Sequence, residues 1–499
     1  MFKIVFLWTD VVMWLLMAAL GAYVWRIRTQ AHLRARWKRV FMAGSTMSAA
    51  VVLGVLLAVA VADSFHFRRA LPQQPGEARA YSPRVESVLD LLLAHQIKTR
   101  EESYSAPLAY LGFVKQTLQR PAGASAPVAE AGPPKRDFPR LKFAGADLKD
   151  PKRQWRGDLS SRLTTGQIWG GGVAIAMWLL GAVAVGRHSG GWRNGLDRLI
   201  NNETELPWRA ALATASTLAV LVAIGVSLAD GYHLFGTDRT GNDVLYQTLK
   251  SLRTAFVIAS LSQLITLPVA VVMGVMAGYF GGWVDRTIEY VYTTISSVPD
   301  ILLIAAAMLM VQVWLDSHSE VFETGLERAD VKIFLLCVIV GVTSWAGLCR
   351  LLRAETLKLR ELEFVQAARA FGVGPVRIMA RHIAPNLFHL VLITSVLGFS
   401  SLILMEAVLS YVGIGVDPSM NSFGNMINAA RGEMSREPAI WWPFAAAFVF
   451  MVGMVLAANL FADGVREAFD PRGLSWRAKR KPAKPAEAPA AVAQPEGSS

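Results

Sequence analysis

Residues 363–386 read EFVQAARAFGVGPVRIMARHIAPN. The stretch is basic, amphipathic and broken by glycine. It lies between two apolar runs, 332–352 and 388–410, each about as long as a ~30 Å hydrocarbon core requires. A structured polar loop pinned between two spans implies an all-α polytopic membrane protein, and the rest of the chain agrees. Of its 499 residues, 53% are apolar and 18% charged, and the mean hydropathy is +0.36. That is too apolar for a soluble chain of this length.

Further apolar runs fall at roughly 4–25, 40–62, 168–186, 208–229, 254–278, 287–313 and 441–463, for nine in all. The first has the length of a signal peptide. Asp10 interrupts it and no small-residue cleavage site precedes the basic stretch, so it reads as a retained anchor. Residues 26–39, RIRTQAHLRARWKR, hold six Lys/Arg in fourteen positions. The loops 187–209 and 353–386 and the tail are basic too. Nine spans put all four on the cytoplasmic side if the N-terminus is outside. The formal net charge of +12 is then a cytoplasmic surface, with no nucleic-acid partner expected. Cys337 and Cys349 fall in one apolar run. Twelve helical positions are about 18 Å, beyond disulfide reach, so they read as packed thiols.

Residues 63–167 lie outside on this topology. They include SPRVESVLDLLLAHQIKTREE, a candidate surface helix, and a low-complexity linker at 121–136. The Ala/Pro-rich tail reads as disordered.

Within the loop, Leu357, Phe364, Ala368 and Phe371 are expected to share one helical stripe. Gly372 stops that helix and Pro375 starts another. Val376, Met379, Ala380 and Ile383 then follow at helical spacing, and Pro385 closes the unit. The expectation is two short amphipathic helices at a sharp angle. Such a pair can lie on lipid. The Ala367-Ala368 pair before a glycine stop suits close approach to another protein's groove better.

These residues carry a resemblance. Gln366-Ala367-Ala368, then Gly372 after three intervening positions, and Pro385 resemble the EAA loop of ABC importer permeases, in the version of the peptide/nickel (dipeptide/oligopeptide) branch. Gln366 replaces the usual Glu, and Ala384 the usual Leu. HLFGTDRTGNDV (233–244), AGYFGGWVDR (277–286), LSYVGIGVDPSMNSFGNMINAAR (409–431) and NLFADGVREAFDPR (459–472) are similar to further motifs of that branch, in its order. The likeness covers roughly 233–472 and leaves out 1–200.

The resemblance implies a type I ABC importer permease core with extra N-terminal spans, of the second-permease (C-type) kind. It implies a heterodimer with another permease, two cytoplasmic ABC ATPase subunits, an external substrate-binding protein and a lipid bilayer as partners. Glu363, Gln366, Ala367, Ala368, Arg369, Gly372, Arg377 and Pro385 would serve ATPase coupling. Gly236, Thr237, Asp238 and Asp243 would form the external motif. The organisation expected is 1–62 N-terminal spans, 63–167 external insert, 168–229 spans leading inward, 230–472 core, and 473–499 tail. Peptides, nickel chelates and peptide-like antibiotics are all open as cargo.

No G-x-x-x-x-G-K-[ST] string occurs, so ATP hydrolysis is expected of the partners and no cofactor or catalytic residue of this chain. The glycine clusters AGYFGG and IWGGG suit turns or helix packing. His233 with Asp238–Asp243 could be a metal site, but Asp and Asn beside Gly-Thr suit a loop cap better. His382 and His389, seven apart with Pro385 between them, make a poor ligand pair, and no metal is expected. Asp10 and Glu406 are carboxylates in or near spans, a costly placement; Glu406 is expected at an interface or along a path. An ion-coupled secondary transporter is the other transport class, but few intramembrane ionisable groups and no internal repeat are visible. A membrane-embedded enzyme would need a catalytic motif, and none is found.

Overall fold

The computed structural model describes residues 2–71, 81–82, 84–117, 136–187, 191–322 and 324–469. The linker at 121–136, save Arg136, the last motif positions 470–472 and the tail 473–499 lie outside them. Among the described residues, nine helical stretches are long and apolar enough to cross a membrane.

The chain opens with β1 (Phe2–Ile4), the spanning helix α1 (Trp8–Thr29), a short α2 (Ala31–Val40) and the spanning α3 (Gly44–Asp63). The segment expected outside carries β2 (His66–Arg69), β3 (Glu86–Ser87), α4 (Val88–Leu92), α5 (Ala94–Lys98), β4 (Gln116–Thr117) and β5 (Arg136–Asp137). Next come α6 (Pro151–Gly186), α7 (Trp192–Ile200) and α8 (Trp208–Ala229). The remainder is α9 (Val244–Phe280), α10 (Gly282–Ser296), α11 (Asp300–Ser317), α12 (Gly325–Thr343), α13 (Ala346–Leu359), α14 (Glu363–Ala370), α15 (Pro375–Ile378), α16 (Ala384–Tyr411), α17 (Phe423–Glu433) and α18 (Trp442–Phe469).

Each expected run has its helix, but several limits move. The first span starts at Trp8 rather than residue 4, because residues 2–4 pair with β2. The run 287–313 is broken at 297–299, where Pro299 precedes α11; the residue before a proline is forced out of helical backbone. The helix holding 168–186 begins at Pro151, so residues 151–167, expected in the insert, are its outer turns. The candidate surface helix is two pieces, α4 and α5. Ser87 and Asp90 form a reciprocal capping box at the start of α4.

Contacts sort the helix ends into two groups, outer and inner by the sides the basic loops predict. On the outer side β1 pairs antiparallel with β2, Phe2 opposite Arg69, so the N-terminus shares a side with the insert. On the inner side Val40 of α2 packs with Val465 and Phe469 of α18, and Lys38 pairs with Glu205. The core helices α9, α12, α16 and α18 share one apolar cluster that includes Leu252, Ile333, Ile403 and Met454. The added spans are layered on it: α3 packs on α9 and α18, α8 on α3, and α6 on α8. In the glycine cluster IWGGG, a Cβ on Gly170 would come within 2.7 Å of Val220 Cα, so that glycine lets α6 and α8 approach closely.

Candidate functional site

At the end of the bundle expected to face the cytoplasm, α13 stops at Leu359 and a turn at 360–362 leads into α14. Leu357 therefore belongs to the helix before the loop, not to the loop's own stripe. Gly372 has φ +72°, a backbone glycine adopts without a Cβ penalty. Its N–H donates to the Arg369 carbonyl (3.0 Å) and the Val373 N–H to the Ala368 carbonyl (3.1 Å), the two bonds of a Schellman stop.

The second half of the loop departs from expectation. Pro375 does open α15, but no second short helix ends at Pro385. Residues Met379–Ile383 form one wide π turn that passes directly into α16, and Pro385 sits in the first turn of that helix. A wide turn absorbs a proline that cannot donate its missing N–H. The loop is thus one free helix, α14, hung from an inward extension of a span.

The buried face of the loop also differs from the expected stripe. Val365, Ile378, Ile383 and Leu387 are the residues packed inward, against Val275 and Leu352. Phe364 and Phe371 of the expected stripe face out, Phe371 being 87% exposed, and Val376 is 73% exposed. Glu363, Ala367, Arg369, Gly372 and Arg377 are exposed with them, while Ala368 is half-buried and Pro385 exposed. The Gln366 amide donates to the Arg360 carbonyl (3.2 Å), which ties α14 to the turn before it. A cavity of about 540 Å³ opens between this hairpin and the inner end of α9, lined by Tyr279, Phe280, Gln366, Arg369 and Pro375 among others.

The loop stands on a stiff base. A Cβ on Gly278 would come within 2.5 Å of Thr356 Cβ, so α9 and α13 meet almost backbone to backbone. Asp285, in the motif 277–286, binds the Arg353 guanidinium at 2.7 Å, and Glu289 does so at 3.2 Å. Arg360 donates to the Gly278 carbonyl. Movement of the loop must therefore carry α9, α10 and α13 with it.

At the outer end, the motif 233–244 is a junction between insert and core. The Asp243 carboxylate caps α9 by accepting from the Leu245 and Tyr246 N–H groups, and it accepts a 2.8 Å hydrogen bond from His233. Asp238 accepts from Thr240 and Asn242 backbone N–H groups. Thr237 Oγ1 donates to the Ser103 carbonyl and accepts from the Ser105 N–H, while its own carbonyl accepts from the Trp442 indole at 3.0 Å. The two motif glycines permit contact with the insert. A Cβ on Gly236 would come within 2.3 Å of the Ser105 carbonyl oxygen, and one on Gly241 within 1.8 Å of the Glu101 carbonyl oxygen. These Asp residues thus act as the loop caps their neighbours suggested. A cleft of about 340 Å³ opens beside them, between Tyr104 of the insert and Gln247, Asn425 and Glu433 of the core.

Glu101 was not singled out by sequence, and its neighbour His233 was weighed there only as a metal ligand. The Glu101 carboxylate accepts three backbone N–H bonds, from Lys142, Phe143 and Ala144, and lies 3.7 Å from His233 Nε2. Burial disfavours a charged His233, but the bond to Asp243 and the nearby Glu101 outweigh it, and its pKa is pushed up to about 9. A raised folded pKa stabilises fully below the ordinary 6.5 and is lost as pH rises through about 9. The purified chain should therefore lose up to about 3 kcal/mol between those limits. His233→Gln should flatten that slope in melting curves; an unchanged slope would mean that the junction does not titrate.

A second group, of which the sequence reading singled out only Asp10, is buried near the outer ends of the spans. Arg253 on α9, 3% exposed, reaches Asp10 of α1 (Nε, 3.2 Å) and Thr9 Oγ1 (2.7 Å). Asp10 also binds His66 Nδ1 at 2.7 Å, and Thr9 donates to Asp330 of α12. One turn earlier Lys250 bonds Asp90 at 2.9 and 3.0 Å and lies 3.3 Å from Asp63. Burial alone would raise the Asp90 carboxyl, but Lys250 and the Ser87 N–H hold it below the ordinary carboxylate range. Glu406, expected at an interface or along a path, is instead sealed inside the bundle at 1% exposure, where Ser410 donates to it.

With this geometry in hand, the likeness to known proteins can be placed. Residues 270–473 match the family described as the inner membrane component of binding-protein-dependent transport systems. The oligopeptide transport system permease protein OppC of Mycobacterium tuberculosis is 32% identical over 245 residues, 49% of this chain and 78% of its own. A putative peptide permease protein of Brucella suis is 33% identical over 243 residues, 48% and 73% of the two chains. OppC of Haemophilus influenzae is 31% identical over 243 residues, 49% and 71%. A chain of the inward-facing MetNI methionine ABC transporter superposes over 46% of this chain and 96% of its own, at 19% identity and a TM-score of 0.33, too low to carry weight. The matched region contains α10 to α18 and the whole inner loop, and the chain belongs to the family of inner-membrane components of binding-protein-dependent transport systems, the multi-pass permease subunits of bacterial ABC importers.

Proposed function

We propose that this chain forms half of the translocation path for peptides or related small solutes, beside a second permease. Two cytoplasmic ATPase subunits receive the loop 353–386, and an external binding protein delivers the solute. In this reading residues 230–472 are the core, 1–62 and 168–229 are added spans, 63–167 is an external insert and 473–499 a cytoplasmic tail. ATP hydrolysis belongs to the partners.

The observation that carries the reading is the outward apolar face of the loop. Phe371 and Val376 are exposed at the turn between α14 and α15, on a loop braced against α9 and α13. Exposed apolar side chains clustered on a stiff support suit a protein groove. Glu363, Arg369 and Arg377 flank that face, Gln366 fixes its angle, Ala367 and Ala368 permit close approach, and Gly372 and Pro385 set its two ends. Closure of an ATP-bound ATPase dimer would move the docked loops as rigid bodies and rock the two permeases between outward and inward states. Gly236, Thr237, Asp238 and Asp243 hold the insert to the core. The buried charges on α9 sit near the outer ends of helices and are mutually paired, which suits anchoring better than an ion-coupled path.

The test is uptake of labelled peptide into vesicles holding the full transporter. ATP-dependent uptake is expected from the native chain. Gly372→Asp should abolish it, since it sets a strained, charged residue at the contact while leaving membrane insertion intact. Uptake independent of ATP, or unchanged by the substitution, removes this account of the loop.

A further inference from the structure

The inner loop 26–43 carries a feature that the transport reading does not use. Helix α2 joins the cytoplasmic ends of α1 and α3. It spans ten residues, or about 15 Å. Its inner face is Leu33, Trp37 and Val40, at i, i+4 and i+7. Trp37 stacks edge-on to Phe469 of α18 at 5.7 Å, and its indole donates to the Tyr23 hydroxyl of α1 at 3.1 Å. The helix is therefore fixed in place, with its opposite face turned to solvent.

That opposite face is strongly basic. Arg26, Arg28, Arg34, Arg36, Lys38 and Arg39 are all exposed. Only Lys38 meets an acid, Glu205, and Arg36 lies over the Phe469 ring. Among the described residues, Arg26, Arg28, Arg34 and Arg39 have no carboxylate partner. Four guanidiniums without a carboxylate, within fourteen residues of chain at one end of the bundle, favour an anion. Their depth in the membrane says which one. The exposed Trp25 ends the apolar run of α1 and the exposed Met42 stands just before α3, and a tryptophan at a span end marks the headgroup level. The charges between them lie where lipid phosphates lie.

We propose that α2 with the end of α1 binds the phosphate headgroups of anionic phospholipids in the inner leaflet. The occupant is a lipid rather than an acidic protein, because the basic residues lie between two apolar anchors at the bilayer edge. Juxtamembrane basic clusters on amphipathic helices recognise such headgroups by charge. The inference is independent of how the loop 353–386 is used.

The experiment uses the full chain, purified with its accompanying subunits, in nanodiscs of phosphatidylcholine with or without phosphatidylglycerol. Bound phosphatidylglycerol is measured by lipid mass spectrometry after exchange into phosphatidylcholine discs. The native chain should retain phosphatidylglycerol selectively and release it at high salt. A variant carrying Arg28→Gln, Arg34→Gln and Arg39→Gln should retain about fivefold less for each charge removed, with unchanged melting in phosphatidylcholine. The three Arg→Lys substitutions should keep the selectivity. Should the triple variant fail to insert, Arg34→Gln alone reports the single step. Equal retention by native chain and variants overturns the proposal. So does undiminished lipid retention with loss of a co-purifying subunit, which would make the face a protein contact.

Discussion

Replacing Asp10 with alanine is expected to destabilise the chain by about 3–5 kcal/mol, the cost of leaving a buried charge without its partner. Asp10 is fully buried and serves both Arg253 and His66. Its loss leaves the Arg253 guanidinium in a low-dielectric bundle without its direct carboxylate partner, with Thr9 and the more distant Asp63 and Asp330 as remaining polar company. The destabilisation should appear in detergent–SDS unfolding of the purified chain. Pairing Asp10→Ala with Arg253→Met should recover part of it, since removing both charges also removes the desolvation penalty. An Asp10→Ala chain as stable as the native one would show that water reaches Arg253 and that the network does not hold α1 to the bundle.

The second large effect concerns binding rather than folding. Phe371→Asp should leave the fold within about 0.5 kcal/mol of native, because the ring is almost wholly exposed. If the outward face docks in an ATPase groove, the ring loses the ~2 kcal/mol typical of a hot spot, or about thirtyfold in affinity. The new carboxylate adds its own desolvation cost. Titration of the ATPase subunit against the permease assembly in nanodiscs reads this directly. Val376→Asp should act in the same direction, whereas Ile378→Asp, at a buried site, should damage the fold first. Native affinity in the Phe371→Asp chain would place the ATPase contact elsewhere.

Much of the membrane architecture was legible because hydropathy is local. About twenty apolar residues cross a bilayer whatever they later touch, and a basic loop stays inside for reasons that need no tertiary contact. The helix stop at Gly372 and the turn at 233–244 were readable for the same reason, since one backbone conformation and one capping carboxylate suffice. The phase of the inner loop was not readable. Helix α14 has eight residues, so two apolar stripes are nearly equivalent along it. Only the presence of Leu352 and Val275 beneath decides that Val365 turns in and Phe371 out. The continuity of α15 into α16 was hidden as well, because Pro385 reads as a stop unless a π turn absorbs it.

The charges show the division most plainly. In sequence, Lys250 and Arg253 look like ordinary flanks of an apolar run, and Asp10 like an interruption of another. Nothing local joins residues 243 positions apart. The sequence by itself determined how many helices cross, which way they point, and where a small hinged helix protrudes. Only the tertiary structure decided that the added spans are tied to α9 by buried ion pairs, and which face of the loop is left for a partner. Insertion depends on free energy summed along a short window, whereas an ion pair or a packed face depends on which distant segment happens to stand opposite.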